Sequence, residues 1–252
     1  MLTCAVIPHF DHVDQFEGLL PQLSAQGMPL VVVDDASPAE AYQKLQQMLD
    51  DHADGTILVR HTRNLGKGGA VMTGLKVALE AGYTHALQID ADGQHDVADM
   101  VRFSAVAQNH PKCIICGQPE FDKSISKLRY YARYITLSLS RLESLSTKIR
   151  DALCGFRVYP LQAVVTLFET SNPGKRMAFD PEILVRAIWA DIELKFIPIK
   201  VTYPEGGKSH FHYVRDNAEI SWMHARLILG MILRLPALLR RNLARREGST
   251  TR

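Results

Sequence analysis

The chain has 252 residues, 46% of them apolar, with 29 Lys and Arg against 27 Asp and Glu and a formal charge of +2. This length holds one large domain, or one domain with an appendage, and the apolar share supplies a full core, which excludes a mainly disordered chain. The near balance of charge argues against a dedicated nucleic-acid binder, whose domain is strongly basic.

Short β-branched runs alternate with helical segments through the first 120 residues. Strands are predicted at 3–7, ended by Pro8; at 30–33, running into Asp34 and Asp35; at 56–59, before a glycine-rich turn; at 85–89, before a second acidic cluster; and at 113–116. Helices are predicted between them at 13–26, 39–51, 67–81 and 97–109. Such alternation implies an α/β fold, a mostly parallel sheet covered by helices on both faces. Ligands of such sheets bind beyond the carboxyl ends of the strands, so the three polar motifs should share one rim. After Gly117 the pattern is less regular, with a helix expected at 126–144, a segment Asp151-Ala-Leu-Cys-Gly-Phe-Arg157, a helix at 181–190 and a strand at 194–201. No internal repeat or low-complexity tract interrupts it.

Asp90-Ala91-Asp92 follows an apolar strand, and two carboxylates one residue apart can hold a hard divalent cation, with Gln94 as a further oxygen donor. Two solvated loop carboxylates give the same pattern. Asp34 and Asp35 can accept hydrogen bonds from a base or ribose, or serve the helix start before Pro38, where Ser37 is the better cap. The run from Asn64 to Ala70 opens a helix, where backbone N–H groups and Lys67 can meet an anion. It departs from the dinucleotide fingerprint, with Val71 at the third glycine position, and from the P-loop spacing, so its glycines also read as tight-turn residues. The four cysteines, Cys4, Cys113, Cys116 and Cys154, with no apparent signal peptide, suggest free thiols in a reducing compartment. Cys113 and Cys116 read as core thiols, since a structural zinc takes four ligands.

Val6-Ile-Pro-His-Phe-Asp11, Val32-Val-Asp-Asp-Ala-Ser37, Asn64-Leu-Gly-Lys-Gly-Gly-Ala70 and Gln88-Ile-Asp-Ala-Asp-Gly-Gln-His95 stand in this order. Together they resemble the family-2 inverting glycosyltransferases of GT-A fold, in particular the dolichyl- or polyprenyl-phosphate hexose synthases. Asp151 to Arg157 is similar to the D-x-x-S-G-F-R segment of that branch, with Cys154 in place of Ser. Phe179-Asp-Pro-Glu-Ile-Leu184 resembles its F-x-x-E-I-L helix, and the run from Tyr203 to Phe211 resembles its late G-x-S loop. Here Ser209 is followed by His210 and Phe211 where those enzymes often have Lys or Arg, a version similar to bacterial members found with acyltransferase and lipid or polyene biosynthesis genes.

The resemblance implies transfer of a hexose, with inversion, from a nucleotide-diphosphate sugar to a lipid-linked or otherwise membrane-associated acceptor. It places Pro8, Phe10, Asp11, Asp34, Asp35, Asn64, Gly66, Lys67, Asp90, Ala91 and Asp92 around the donor. Asp90, Asp92 and Gln94 would hold Mg2+ or Mn2+. Asp151, then Asp180, are the candidates for a general base, which a hydroxyl acceptor needs and a phosphate acceptor does not. Arg129, Arg133, Arg157, Ser209 and His210 are the candidates for binding the acceptor or its phosphate. Two rivals are an aspartyl-phosphate enzyme, in which position 94 would be Thr or Val, and a nucleotide-sugar sensor without catalysis.

The division expected is a catalytic domain at 1–212 and an apolar, basic helical tail at 213–252. From Tyr213 onward there are eight Arg and no Lys against three acidic residues, a tail of net +5 on a body of −3. Residues 220–239 are apolar but broken by His224, Arg226, Arg234 and Pro236, and the uncharged run 227–233 falls short of the roughly 20 residues of a bilayer span. The expectation is therefore peripheral attachment to the cytoplasmic face of the membrane, with Arg240, Arg241, Arg245 and Arg246 meeting anionic lipid heads. Burial of the tail against the domain is the competing reading, and with it a glycosyltransferase acting on a soluble acceptor.

Overall fold

The computed structural model describes residues 1–52, 55–120, 127–201 and 212–250; the side chains of 52, 127–129 and 245–250 are outside the description. Seven strands form one sheet: β1 (Thr3–His9), β2 (Leu30–Asp34), β3 (Ile57–Arg60), β4 (His85–Gln88), β5 (Ile114–Glu120), β6 (Arg157–Pro160) and β7 (Leu194–Lys200). Their spatial order is β3-β2-β1-β4-β6-β5-β7. All pairs are parallel except those of β6, which runs against both β4 and β5.

The period of two along the strands sorts the core into two layers. Cys4, Val6, Val31 and Val33 face α3 (Lys67–Glu80), α6 (Leu161–Ser171) and α7 (Phe179–Trp189). Ala5, Ile7, Leu30 and Val32 face α1 (Val13–Ala25), α2 (Ala39–His52) and α4 (Asp99–Asn109). The three-residue step from Cys113 to Cys116 puts the two thiols in different layers, both buried and free, so this C-x-x-C can be neither a disulfide nor half of a metal site. Burial pushes the Cys116 thiol up to about 12, which keeps it protonated and unreactive.

The sequence reading of the second half needs one correction. The segment ending at Arg157 leads directly into β6, and α6 follows; neither element was expected. All four residues of β6 are buried, so no alternation of polar and apolar positions advertises the strand, and a polar Arg157 begins it while Pro160 ends it.

The tail is one helix, α8 (Tyr213–Thr250), 38 residues long, which continues through Pro236. It lies on α5 (Lys127–Ser144) and α7, with Met223, Leu227 and Leu238 buried. His224 Nδ1 stands 2.6 Å from Glu143 Oε1, and Arg226 Nη2 donates to Glu182 Oε2 at 3.1 Å. The opposite face leaves Trp222, Leu229, Ile232 and Leu233 exposed. Burial against the domain, the competing reading, holds for one face of the helix; the other face is exposed. By length and composition alone, the 32-residue stretch Tyr213–Ala244, which reaches a mean hydropathy of 1.3, is also long and apolar enough to cross a bilayer. The uninterrupted-run criterion missed this because isolated arginines are diluted over several turns.

Candidate functional site

Pro8 stands at the end of β1, and the turn after it carries Phe10 and Asp11; Asp11 adopts φ 52 and donates its N–H to Ser37 Oγ at 3.0 Å. β2 ends beside it in the acidic pair, and both carboxylates are buried and already engaged. Asp34 accepts the Ser37 N–H at 3.2 Å, with His9 Nδ1 at 3.3 Å and Arg60 Nε at 3.5 Å. Burial alone would raise the Asp34 carboxyl, but the hydrogen bonds from His9 and Ser37 outweigh it and hold the group below its ordinary value.

Asp35 works as a staple across the sheet edge. Its oxygens accept the N–H groups of Leu65 at 2.8 Å and Gly66 at 2.7 Å, and Oδ1 is 2.7 Å from His61 Nδ1. Asn64 donates its side-chain amide to the Asp35 carbonyl at 3.2 Å. Gly66, at φ 87, makes the turn possible, and the Gly69 N–H donates to Lys175 O at 2.7 Å. The amides of Leu65, Gly66 and Gly69 are thus spent within the chain. The anion that the Leu65 and Gly66 amides hold is the chain's own Asp35 carboxylate, and the turn delivers Lys67.

Lys67 reaches the rim beyond β4, where its Nζ is 2.8 Å from Asp90 Oδ2 and 2.9 Å from Asp180 Oδ2. Burial disfavours the ammonium, but the two carboxylates more than offset that and hold its pKa well above the usual range. Burial would likewise raise Asp90, and Lys67 reverses this and lowers it. Asp92 has no such partner among the described residues: burial and the Asp90 charge push it up to about 6. Gly93, at φ 69, turns the chain so that the Gln94 N–H returns to Asp92 Oδ1 at 3.1 Å. His95 lies on the Phe156 ring at 5.2 Å, with burial lowering its pKa.

The 151–157 segment closes the other side. A Cβ on Gly155 would stand 2.7 Å from Lys67 Nζ and 2.9 Å from Asp90 Oδ2, so only glycine leaves room for the ion cluster. Asp151 is buried and held by Arg133, which donates Nη2 to Oδ1 at 2.6 Å and Nε to Oδ2, while Oδ1 also accepts the N–H groups of Leu153 and Cys154. Asp180, in the first turn of α7, keeps Oδ1 without a hydrogen bond, 3.9 Å from Arg157 Nη1.

Arg157 itself requires a correction as an acceptor ligand. It is completely buried and its two terminal nitrogens donate to the carbonyls of Ala152, at 3.0 Å, and Asp180, at 2.9 Å, so it positions the wall behind the crevice. Arg133 is occupied by Asp151 in the same way. Ser209 and His210 lie outside the described residues, as does the Arg129 side chain.

Residues that sequence reasoning left out also shape the crevice. Gln88 links Tyr159 to the cluster, accepting its hydroxyl at 3.0 Å, and Arg176 donates to Asn64 Oδ1 at 3.2 Å. Gln88 stood inside a quoted motif, whereas nothing local marks Arg176, which arrives from 112 residues away.

The model of the family described as glycosyl transferase family 2 matches residues 4–168, which contain both acidic pairs, the glycine turn and the 151–157 segment. The chain belongs to glycosyl transferase family 2. Among its relatives is the UDP-N-acetylglucosamine–dolichyl-phosphate N-acetylglucosaminyltransferase of Methanococcus voltae, 24% identical over 92% of this chain and 98% of that protein. The undecaprenyl-phosphate mannosyltransferase of Micrococcus luteus is 29% identical over 83% and 87%. Among solved structures, TarS 1-349 of S. aureus in complex with UDP-GlcNAc superimposes with a TM-score of 0.59, at 16% identity, over 91% of this chain and 67% of that one. The mannosyltransferase PcManGT of Pyrobaculum calidifontis, in complex with GDP-Man and Mn2+, gives 0.56 at 16% identity over 95% and 73%. The family-2 chain is thus a glycosyltransferase of GT-A fold, as its motifs led one to expect.

Proposed function

We propose that this family-2 enzyme transfers a hexose, with inversion, from a nucleotide-diphosphate sugar to a polyprenyl-phosphate acceptor at a membrane surface. The observation that carries the reading is the Lys67 bridge between Asp90 and Asp180, which joins the acidic pair after β4 to the helix bearing a candidate base. The M. voltae and M. luteus relatives, named for dolichyl- and undecaprenyl-phosphate acceptors, support the acceptor class.

The donor set fits Mg2+ or Mn2+. Asp90 and Asp92 offer hard oxygen ligands, and the crowding that raises Asp92 is the kind a cation relieves. Among the described residues no cluster of three or more His, Cys, Asp or Glu side chains could hold a metal alone, so the remaining positions fall to Gln94, water and diphosphate oxygens. When bound, the cation supplies Lewis-acid stabilisation of the charge on the departing diphosphate.

The chain's own residues then divide the work. Lys67 sets the spacing of Asp90 and Asp180 and places a fixed positive charge beside the diphosphate. Asp180 is better placed than Asp151 to act on an acceptor, because it shares the Lys67 ammonium with Asp90, whereas Asp151 is committed to Arg133 and two backbone amides. A phosphate acceptor is already an anion and attacks without losing a proton; a hydroxyl acceptor would give its proton to Asp180. Pro8, Phe10 and Asp11 form the open lip for the nucleoside, with Asp34 and Asp35 supporting that lip from beneath.

The exposed Trp222, Leu229, Ile232 and Leu233, followed by Arg240, support attachment of α8 to an anionic lipid surface. The deciding experiment offers UDP-glucose, UDP-N-acetylglucosamine and GDP-mannose with undecaprenyl phosphate in vesicles. Metal-dependent formation of a glycosylated lipid phosphate is expected. Donor binding without transfer to that lipid or to water would leave a sensor instead.

A further inference from the structure

The loop 174–178 lies between the glycine turn and α8. On the turn's side, Lys175 O accepts the Gly69 N–H at 2.7 Å and Arg176 Nη1 donates to Asn64 Oδ1 at 3.2 Å. The Arg176 stem is so close that a Cβ on Gly66 would stand 2.5 Å from its Cγ. On the other side, Arg176 Nε is 3.6 Å from Glu219 Oε1 of α8. The loop's first residue is held by Glu182, whose Oε2 accepts both the Gly174 N–H at 2.8 Å and Arg226 Nη2 of α8 at 3.1 Å. Glu182 is fully buried, and its other oxygen takes Arg186 at 2.6 Å. Two residues before it on the same helical turn is Asp180, the partner of Lys67.

Both halves of the Lys67–Asp180 bridge therefore hang on a loop that α8 holds in place. We infer that α8 is a wall of the transfer site, with Glu182 and Arg226 as positioning residues whose pairing sets where Lys67 and Asp180 stand. The inference rests on the reading of Lys67 and Asp180 as parts of the site.

The physical reason is the asymmetry of buried pairs. A buried carboxylate that loses one of two cationic partners is drawn toward the one it keeps, here Arg186 on Oε1, and leaves its other oxygen to rotate or admit water. Glu182 would then loosen its grip on Gly174, and the slack would pass through Lys175 and Arg176 to the turn that carries Lys67. A displacement of about 1 Å at reacting groups is enough to cost on the order of 10²-fold in rate.

The test uses the full chain and the variants Arg226→Ala, Arg226→Lys and Glu219→Ala. Amide hydrogen exchange in residues 64–69 and 174–180 is followed together with steady-state transfer from whichever of the three nucleotide sugars stabilises the wild type most, to undecaprenyl phosphate. Arg226→Ala is expected to melt cooperatively, to exchange about tenfold or more faster in both segments, and to lose about tenfold or more in kcat with donor KM nearly unchanged. Arg226→Lys should recover most of both losses. A folded Arg226→Ala with wild-type exchange in these segments and wild-type kcat overturns the inference. Should that variant not fold, Glu219→Ala, altered at a partly exposed side chain, is held to the same two readouts. Asp180→Asn separates the levels: full transfer by it sinks the reading of the site, whereas an inactive Asp180→Asn beside an undisturbed Arg226→Ala sinks only the role of α8.

Discussion

Asp35 and Gly66 are joined by a 2.7 Å hydrogen bond from the glycine N–H to the carboxylate, which ties the end of β2 to the turn that presents Lys67. The acidic pair after β2 and the glycine turn, two separate motifs in the sequence, are thus one construction. Its output is the position of a single ammonium group.

Replacing that group is the first test. Lys67→Met leaves Asp90 and Asp180 facing each other without the cation between them. Removing one partner of a buried ion pair costs roughly 3–5 kcal/mol. We expect a marked fall in melting temperature together with loss of transfer; wild-type melting would mean that the bridge contributes nothing to the fold.

Asp92→Asn probes the cation site with less structural damage. Among the described residues Asp92 is not paired to a cationic side chain, and it is raised to about 6 by burial and Asp90, so neutralising it relieves repulsion. Thermal stability should hold or rise, while the extra stabilisation given by Mn2+ with a nucleotide diphosphate disappears. Retained Mn2+ dependence in the melting curve would remove Asp92 from the ligand set.

Gly155→Ala tests the packing of the crevice. Its Cβ would sit 2.7 Å from Lys67 Nζ and 2.8 Å from Gln88 Nε2, so the ion cluster must shift. Transfer should drop at least about tenfold, a loss of the size expected when groups leave productive geometry. Activity equal to wild type would show that the cluster tolerates displacement.

Asp34 provides a pH test of the fold. Its carboxyl is held below the ordinary value by His9 and Ser37, so its stabilising contribution is present above the unfolded pKa, about 3.9, and is lost as pH falls through the lowered folded value. Wild-type stability should therefore decline below about pH 4 more steeply than that of Asp34→Asn. Parallel acid-unfolding curves for the two proteins would contradict this.

The two faces of α8 should respond in opposite ways. Leu227 is fully buried, and Leu227→Ala is expected to cost about 2–5 kcal/mol of stability. Trp222 and Leu233 are 66% and 73% exposed; replacing both with Ser should leave melting nearly unchanged but weaken sedimentation with anionic vesicles. Undiminished vesicle binding by the double variant would place the membrane contact elsewhere.

The sheet, the rim and the motif cluster were legible because β1 to β5 are short, strongly β-branched and separated by periodic helices. Asp90, Asp180 and Lys67 were each named as site candidates, but the convergence of the two carboxylates on the one ammonium was not, since it depends on contacts spanning 23 and 113 residues. Arg157 misled for a different reason. An arginine beside a candidate base looks like an acceptor ligand in one dimension, and only burial reveals it as a support. Arg226 and Arg241 were read with the tail's free charge, yet Arg226 sits on Glu182 and Arg241 lies 3.4 Å from Asp191.

The reversed strand β6 governs how this molecule can be made. β5 is synthesised about 40 residues before β6, yet β4 and β5 touch only through it. A chain emerging from the ribosome must therefore leave a slot one strand wide and keep both flanking edges from pairing with each other or with a neighbouring chain. Until Arg157 to Pro160 fill that slot, β4 presents an open hydrogen-bonding edge, and Lys67 gains the second of its two carboxylates only when α7, later still in the chain, brings Asp180. The crevice proposed for sugar transfer is consequently among the last parts to exist, and partly synthesised chains are the form in which this protein is most exposed to misassembly.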